Sequence, residues 1–138
     1  MSLDSLRHLS REECVGLLGS RRLGRVSVSI GALPAILPVN YAMWDDSIVF
    51  RTAPGTKLSA AVMGTVVGFE VDDAAEDLSG GWSVLVVGHA SEIRDLESLE
   101  HVRELALASW APGERDFFVR ISTEQLSGRA FGDASSMR

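Results

Sequence analysis

The stretch Leu23-Gly-Arg-Val-Ser-Val-Ser-Ile30 decides the fold class. Val26, Val28 and Ile30 alternate with one arginine and two serines, which is a period of two. This period predicts a β-strand with one face in a core and one face in water. The chain therefore enters a β-sheet within its first thirty residues.

Further strands follow on both sides of short turns. Gly31 to Pro34 and Asp45 to Ser47 carry turn residues, so the first three strands are predicted to form an antiparallel meander. Pro38 lies inside the second strand and predicts an edge position or a bulge, because proline gives the ladder no donor. We predict strands at 35–44, 48–52, 65–71, 82–93 and 117–121, the last extended by 128–131.

Short helices interrupt these strands. Ser10-Arg-Glu-Glu13 has the capping-box spacing and starts a first helix that points Cys14 at the core and stops at Gly19. A second helix is predicted over 56–63, and a third begins after Asp95 and ends near 110–113. Residues 72–77 are acidic and are predicted to be an exposed loop.

About six antiparallel strands with short helical insertions favour a mainly β fold, closed as a small Greek-key barrel. With 138 residues, of which 46% are hydrophobic, the chain forms one domain over 1–138. We expect its ends, 1–8 and 132–138, to fray.

Composition excludes several classes of function. A net charge of −6 with dispersed acids argues against a nucleic-acid partner. Cys14 is the single cysteine, and His8, His89 and His101 lack metal-ligand spacing, so no disulfide or metal site is expected. No apolar run reaches the ~20 residues of a membrane helix, and charges fill the N-terminus. We expect a soluble, cytoplasmic protein that does not bind membranes.

The most informative motif is Phe50-Arg-Thr-Ala-Pro-Gly-Thr-Lys57. A strand stops, Pro54 and Gly55 turn the chain, and a helix begins at Thr56. The free amides at the start of a helix suit a phosphate, and Lys57 adds a charge. A second interpretation is equally open at this point: Thr56 only caps the helix and Lys57 is solvated.

The run Trp82 to Val87 is almost wholly apolar, with Ser83 as its one polar residue. An apolar strand of this kind is covered on both faces. The simplest cover is the core on one side and a second copy of the chain on the other, so we expect a homodimer.

Four segments resemble one known family. They are Leu37-Pro-Val-Asn-Tyr41, Phe50 to Lys57, Gly68-Phe-Glu-Val-Asp72 and Gly81-Trp-Ser-Val-Leu-Val-Val-Gly88. The chain is similar, from Leu9 to Phe131, to the pyridoxamine phosphate oxidase-like split-barrel flavoproteins, in particular the small bacterial branch with nitroimidazole-resistance proteins. The resemblance implies a six-stranded antiparallel Greek-key split barrel of the FMN-binding type, with two barrels forming a dimer that has an FMN in each of two interface clefts.

The same resemblance implies contacts to the flavin ring. Val39 and Asn40 would line the isoalloxazine, and Arg51 and Thr52 would contact the ring or the ribityl chain. Trp82 would lie close to the cleft. FMN is accordingly the expected cofactor.

For the phosphate, the resemblance implies Thr56 and Lys57. Fuller members of the family add an Arg and a Lys in the second strand, where this chain has the apolar stretch 35–38. This departure favours weaker FMN binding or another flavin. The vitamin oxidases also carry a C-terminal Trp and Arg motif that is absent from 127–131, so oxidation of pyridoxamine phosphate is not expected.

The sequence leaves two functions open. The first is an FMN-dependent oxidoreductase that transfers electrons to a small planar acceptor. The second is a non-catalytic protein of the same fold that binds or sequesters a flavin, a deazaflavin coenzyme or haem. No acid, base or nucleophile stands out beside the cleft, so no catalytic residue is assigned.

Overall fold

The computed structural model describes residues 6–107 and 116–132. It contains eight strands and three helices within those ranges. In chain order they are β1 (Arg7–His8), α1 (Arg11–Gly19), β2 (Leu23–Ile30), β3 (Leu33–Trp44), β4 (Ser47–Thr52), α2 (Lys57–Val62), β5 (Val66–Ala74), β6 (Gly80–Glu92), α3 (Leu96–Arg103), β7 (Phe117–Ile121) and β8 (Gln125–Gly132). None of these helices is long and apolar enough to cross a membrane.

Six antiparallel strands close into a barrel, as the sequence predicts. The strand order is β1-β8-β6-β5-β2-β3-β4-β7, and a further pairing of β6 with β7 closes the ring. β6 makes this possible because it changes partner along its length. Gly80 to Val87 pair with β8, and Ala90 to Glu92 pair with β7.

Gly88 lies where β6 changes partner. A Cβ atom at this position would lie 2.1 Å from the backbone oxygen of Ser122, which follows β7. Only glycine lets the two backbones approach this closely, so Gly88 allows the closure.

The barrel interior is filled by alternate residues of its strands. Tyr41, Phe50 and Phe69 are the largest fully buried side chains, and the rings of Tyr41 and Phe69 pack edge to face. A smaller cluster that includes Val49, Val102 and Phe118 lies under α3. α3 therefore covers the outside of the barrel over β4 and β7.

Several sequence predictions are confirmed. The capping box at Ser10 and Glu13 is present, and Cys14 is fully buried, where burial raises the pKa of its thiol. Cys14 is thus a packing residue. Pro38 belongs to the part of β3 that pairs with β2 alone among the described strands, which is the predicted edge position.

Three predictions need correction. Asp72 to Ala74 continue β5 and pair with β6. Asp72 faces outward, and Asp73, on the opposite side of the strand, pairs with Arg21 at 2.8 Å. Residues 125–132 form the separate strand β8, paired with β6 and β1, and do not extend the preceding strand. α3 ends at Arg103, and the predicted end near 110–113 lies outside the described residues.

The chain segments expected to fray include two described parts. Arg7 and His8 pair with β8 as β1, and Gly132 closes β8.

Candidate functional site

The predicted cofactor residues of β3 and β4 lie where these strands separate. Their ladder ends at the pair Tyr41 and Phe50. Asn40 and Arg51 are each one position beyond that pair, on the face opposite the barrel core, because neighbours on a strand alternate between faces. Val39 and Thr52, by the same alternation, point inward and are buried.

Asn40 is fixed by its own amide. Its Nδ2 donates to the backbone oxygen of Arg22 at 2.9 Å, just before β2 begins. The side chain therefore holds the start of β2 against β3 at the same end of the barrel as Arg51.

Arg51 pairs with a buried acid that the sequence did not single out. Its Nε lies 3.1 Å from Oδ2 of Asp116, whose side chain is only 1% exposed. The approach lacks hydrogen-bond geometry, and no described residue donates a hydrogen bond to either carboxylate oxygen of Asp116. Asp116 immediately precedes the aromatic start of β7, and no sequence pattern marks such an acid as functional.

The turn before α2 has the geometry of a helix cap. Thr56 Oγ1 accepts from the backbone amide of Ser59 at 3.0 Å and donates to the backbone oxygen of Ala53 at 3.0 Å. Its hydroxyl is thus already used inside the protein. Lys57 is exposed and makes no ion pair within the described residues, so its ammonium is available to a ligand.

Trp82 is separated from the other candidates. It lies on β6, with β5 and β2 between it and β3, and it is 2% exposed. The indole Nε1 of Trp82 donates no hydrogen bond within the part of the chain that the structure describes. The guanidinium of Arg21, which pairs with Asp73 at 2.8 Å, lies 5.3 Å from the ring centroid. The ring borders a second cavity of about 430 Å³ near the start of β6.

A cavity of about 400 Å³ lies between α3 and the edges of β4 and β7. We call it the α3 cavity. Arg51 and Asp116 line it on the barrel side. Arg94, two residues before α3, and Arg103, the last residue of α3, also line it. The structure thus connects a predicted cofactor residue with a partly open cavity that the sequence did not reveal.

The outer face of β2, β3, β5 and β6 carries exposed apolar side chains. Leu23, Ile36, Val66 and Leu85 all point outward here, and each is at least 46% exposed. We call this surface the outer sheet face. Val86, by contrast, is fully buried in the barrel.

A small charged cluster lies on the same face. Arg25 on β2 is 3.5 Å from Glu70 and 3.8 Å from Asp72 on β5. Partial burial and the neighbouring Asp72 raise the pKa of Glu70 to about 7. Glu70 therefore ionises less readily in the folded chain than an ordinary exposed glutamate does.

The described residues contain no cluster of three or more potential metal ligands. His89 is exposed on β6, and His101 stacks on Trp44 with ring centroids 5.9 Å apart.

Comparison with known proteins agrees with this fold. A family model for pyridoxamine 5'-phosphate oxidase matches residues 10–130. The chain is 38% identical over 125 residues to the uncharacterised protein Rv0080 of Mycobacterium tuberculosis, covering 87% of this chain and 82% of that protein.

Two solved structures extend the comparison. An FAD-binding protein from Mycobacterium smegmatis is 36% identical, with a TM-score of 0.82 over 91% of this chain and 98% of that one. An FAD-binding protein from Mesorhizobium loti is 30% identical, with a TM-score of 0.73 over 91% of this chain and 97% of that one. A closed six-stranded barrel of this topology defines the flavin-binding split-barrel class. The chain belongs to the pyridoxamine 5'-phosphate oxidase-like family.

Proposed function

We propose that this protein binds a flavin nucleotide at the end of the β3–β4 ladder, beside the start of α2. The observation that carries the proposal is the shared outward face of Asn40 and Arg51, with the unpaired Lys57 on the segment that follows β4. Support also comes from two relatives, at 36% and 30% identity, that are FAD-binding proteins.

The residue chemistry suits this ligand. A flavin nucleotide presents carbonyl and phosphate oxygens, which accept hydrogen bonds. An amide from Asn40, a guanidinium from Arg51 and an ammonium from Lys57 are all donors. Thr56 would contribute through its backbone, since its hydroxyl is engaged in the cap.

FAD is the first candidate and FMN the second. FMN depends on its terminal phosphate for much of its recognition, and Lys57 is the only cation on the segment 52–57. The apolar stretch 35–38 offers no further cation. FAD has a diphosphate and an adenine ring, so it can add contacts to apolar surface.

We further propose that two chains associate through the outer sheet face. Four large apolar side chains are exposed on one sheet face, and exposed apolar surface of this kind is typical of association sites. Twofold symmetry would cover the patch on both copies. Val39 and Trp82 are buried, so they would support the strands that carry the site from inside the barrel and would not contact the flavin directly.

The activity that follows is an electron transfer to a small planar acceptor. A bound flavin supplies the redox chemistry. The chain's own residues would bind and orient it: Lys57 through charge, Asn40 and Arg51 through hydrogen bonds. Water would be excluded where the second copy covers the outer sheet face.

A non-catalytic binding function is the second candidate. Asn40, Arg51 and Lys57 are hydrogen-bond donors, and none of them is a neutral-pH acid or base of the usual catalytic type. A protein that only binds or sequesters a flavin, a deazaflavin coenzyme or haem needs no more than this.

The absorption spectrum of the freshly purified protein tests the proposal, because flavins, deazaflavins and haem absorb at different wavelengths. We expect flavin bands, or quenching of flavin fluorescence on titration with FAD, FMN and riboflavin. A colourless protein that leaves the fluorescence of all three unchanged would refute flavin binding. Rapid reoxidation of the reduced holoprotein by a quinone or a nitroaromatic would support turnover, and its absence would favour the non-catalytic function.

A further inference from the structure

We propose that the α3 cavity binds a small aromatic carboxylic acid that also carries an O–H or N–H donor. Among the described residues, its lining combines apolar side chains with a buried carboxylate that accepts no hydrogen bond and an arginine that makes no ion pair. This site goes beyond the proposed flavin site. It requires no flavin for its occupancy.

The size and walls of the cavity suit an aromatic ring. Its volume of about 400 Å³ falls in the usual range for small-molecule sites, roughly 300–1,000 Å³. Ile93, Leu99 and Phe118 supply apolar wall, together with two leucines that follow α3. A ring that fills this space removes both its own apolar surface and that of the walls from water.

Asp116 sets the requirement for a donor. A buried carboxylate usually accepts several hydrogen bonds, and an unpaired buried acceptor is costly. Here neither oxygen accepts one from any residue in 6–107 or 116–132, and Arg51 Nε forms only an ion pair with Asp116 at 3.1 Å. A ligand O–H or N–H directed at Asp116 would satisfy it.

The arginines set the requirement for an anion. Arg51 pairs with Asp116, and Arg94 pairs with Glu92 at 3.2 Å. Arg103, in the last turn of α3, makes no ion pair with any described residue. The lining therefore carries one positive charge in excess, which a carboxylate can balance with two parallel hydrogen bonds from the guanidinium.

Other ligand classes satisfy only part of this lining. A cation would pair with Asp116 but would add repulsion to Arg103. Inorganic phosphate would pair with Arg103 but would leave the apolar walls of the cavity in contact with water. An aromatic acid with a donor meets all three features at once.

Calorimetric titration of the full chain with 4-hydroxybenzoate, 3-hydroxybenzoate, benzoate and phenol tests the proposal. We expect at least one hydroxybenzoate to bind about tenfold or more tightly than both benzoate and phenol, as for a charge-assisted hydrogen bond. Millimolar hydroxybenzoate without measurable binding, or equal affinity for all four probes, would overturn the proposal.

Two variants separate the contributions. Asp116→Asn should reduce the preference for hydroxybenzoate over benzoate severalfold, and Arg103→Gln should remove the preference for hydroxybenzoate over phenol. Arg129→Gln, on β8 and away from the cavity, should change neither ratio. Because each ratio compares two ligands on the same variant, partial unfolding of Asp116→Asn does not alter it. Equal effects of Arg103→Gln and Arg129→Gln would overturn the assignment.

Titration with FAD separates this inference from the proposed function. Binding of hydroxybenzoate to a chain that ignores flavins supports the α3 cavity and refutes the flavin proposal. Competition between FAD and hydroxybenzoate at one-to-one stoichiometry would show that both use one space, and would overturn a separate acid site.

Discussion

Leu85→Glu should weaken association of the proposed dimer. Leu85 points outward from β6 and keeps 46% of its accessible surface in the single chain. Its neighbours across the ladders are Glu70 on β5 and Ser127 on β8. A glutamate here removes apolar surface and adds a carboxylate beside Glu70, and both effects oppose burial of this face.

The magnitude follows from the exposed fraction. Full burial of a leucine side chain contributes ~1.5–3 kcal/mol, so the exposed half of Leu85 has ~0.7–1.4 kcal/mol left to gain. A twofold interface uses the residue twice, which gives ~1.4–2.8 kcal/mol per dimer. We expect the dissociation constant to rise about 10- to 100-fold, and further at low salt because of repulsion.

Sedimentation velocity over a concentration series measures this change, with circular dichroism as the test of folding. Leu96→Glu is the matched control, because Leu96 is 75% exposed but lies on α3. Val86→Glu, one residue along the strand, should unfold the barrel, since Val86 is fully buried. The reasoning is refuted if folded Leu85→Glu associates as tightly as the unaltered chain, or if Leu96→Glu weakens association equally.

Three further predictions concern single residues. Lys57→Ala should weaken FMN and FAD by ~1.5–3 kcal/mol in fluorescence titrations and leave riboflavin nearly unaffected, because only the first two have phosphate; an equal loss for riboflavin would argue against a phosphate contact. Gly88→Ala should lower the free energy of unfolding by ~1–3 kcal/mol in a denaturant titration, because its Cβ would clash with Ser122. Gly68→Ala should lower it by less, because its Cβ would meet no atom closer than 3.5 Å. Glu70→Gln should raise Tm at pH 8 and change it little at pH 4. The pKa of Glu70 is about 7 in the folded chain and 4.5 ordinarily, so its ionisation lowers the free energy of unfolding as pH rises between these values. A shift in Tm that does not depend on pH would contradict this.

The barrel strands were predictable because each buries one face. The alternation in Leu23 to Ile30 gives β2 with its observed bounds. The join between β7 and β8 was missed because residues 122–124 contain no glycine or proline to mark a break. The position of Asp72 on β5 was not predicted either, because a run of charged residues is compatible both with the solvent-exposed face of a strand and with a loop.

The site was less predictable than the fold. The segment from Phe50 to Lys57 identifies a turn and a helix start, and both are present. Which donors remain free depends on contacts that local sequence does not encode. The pairing of Arg51 with Asp116 links residues 65 positions apart, across the β4–β7 ladder.

The closure of the barrel rests on one of its two shortest ladders. β6 and β7 share three residue pairs, as do β2 and β5, whereas β5 and β6 share nine. Native proteins open first where cooperative units are joined by few contacts, so the β6–β7 ladder is one place where the barrel can open locally without global unfolding. The α3 cavity has Glu92 of β6 on one side of this ladder and Phe117 of β7 on the other. A ligand bound in the α3 cavity would contact both strands of this ladder. Its binding would stabilise the closed barrel and lower the frequency of local opening.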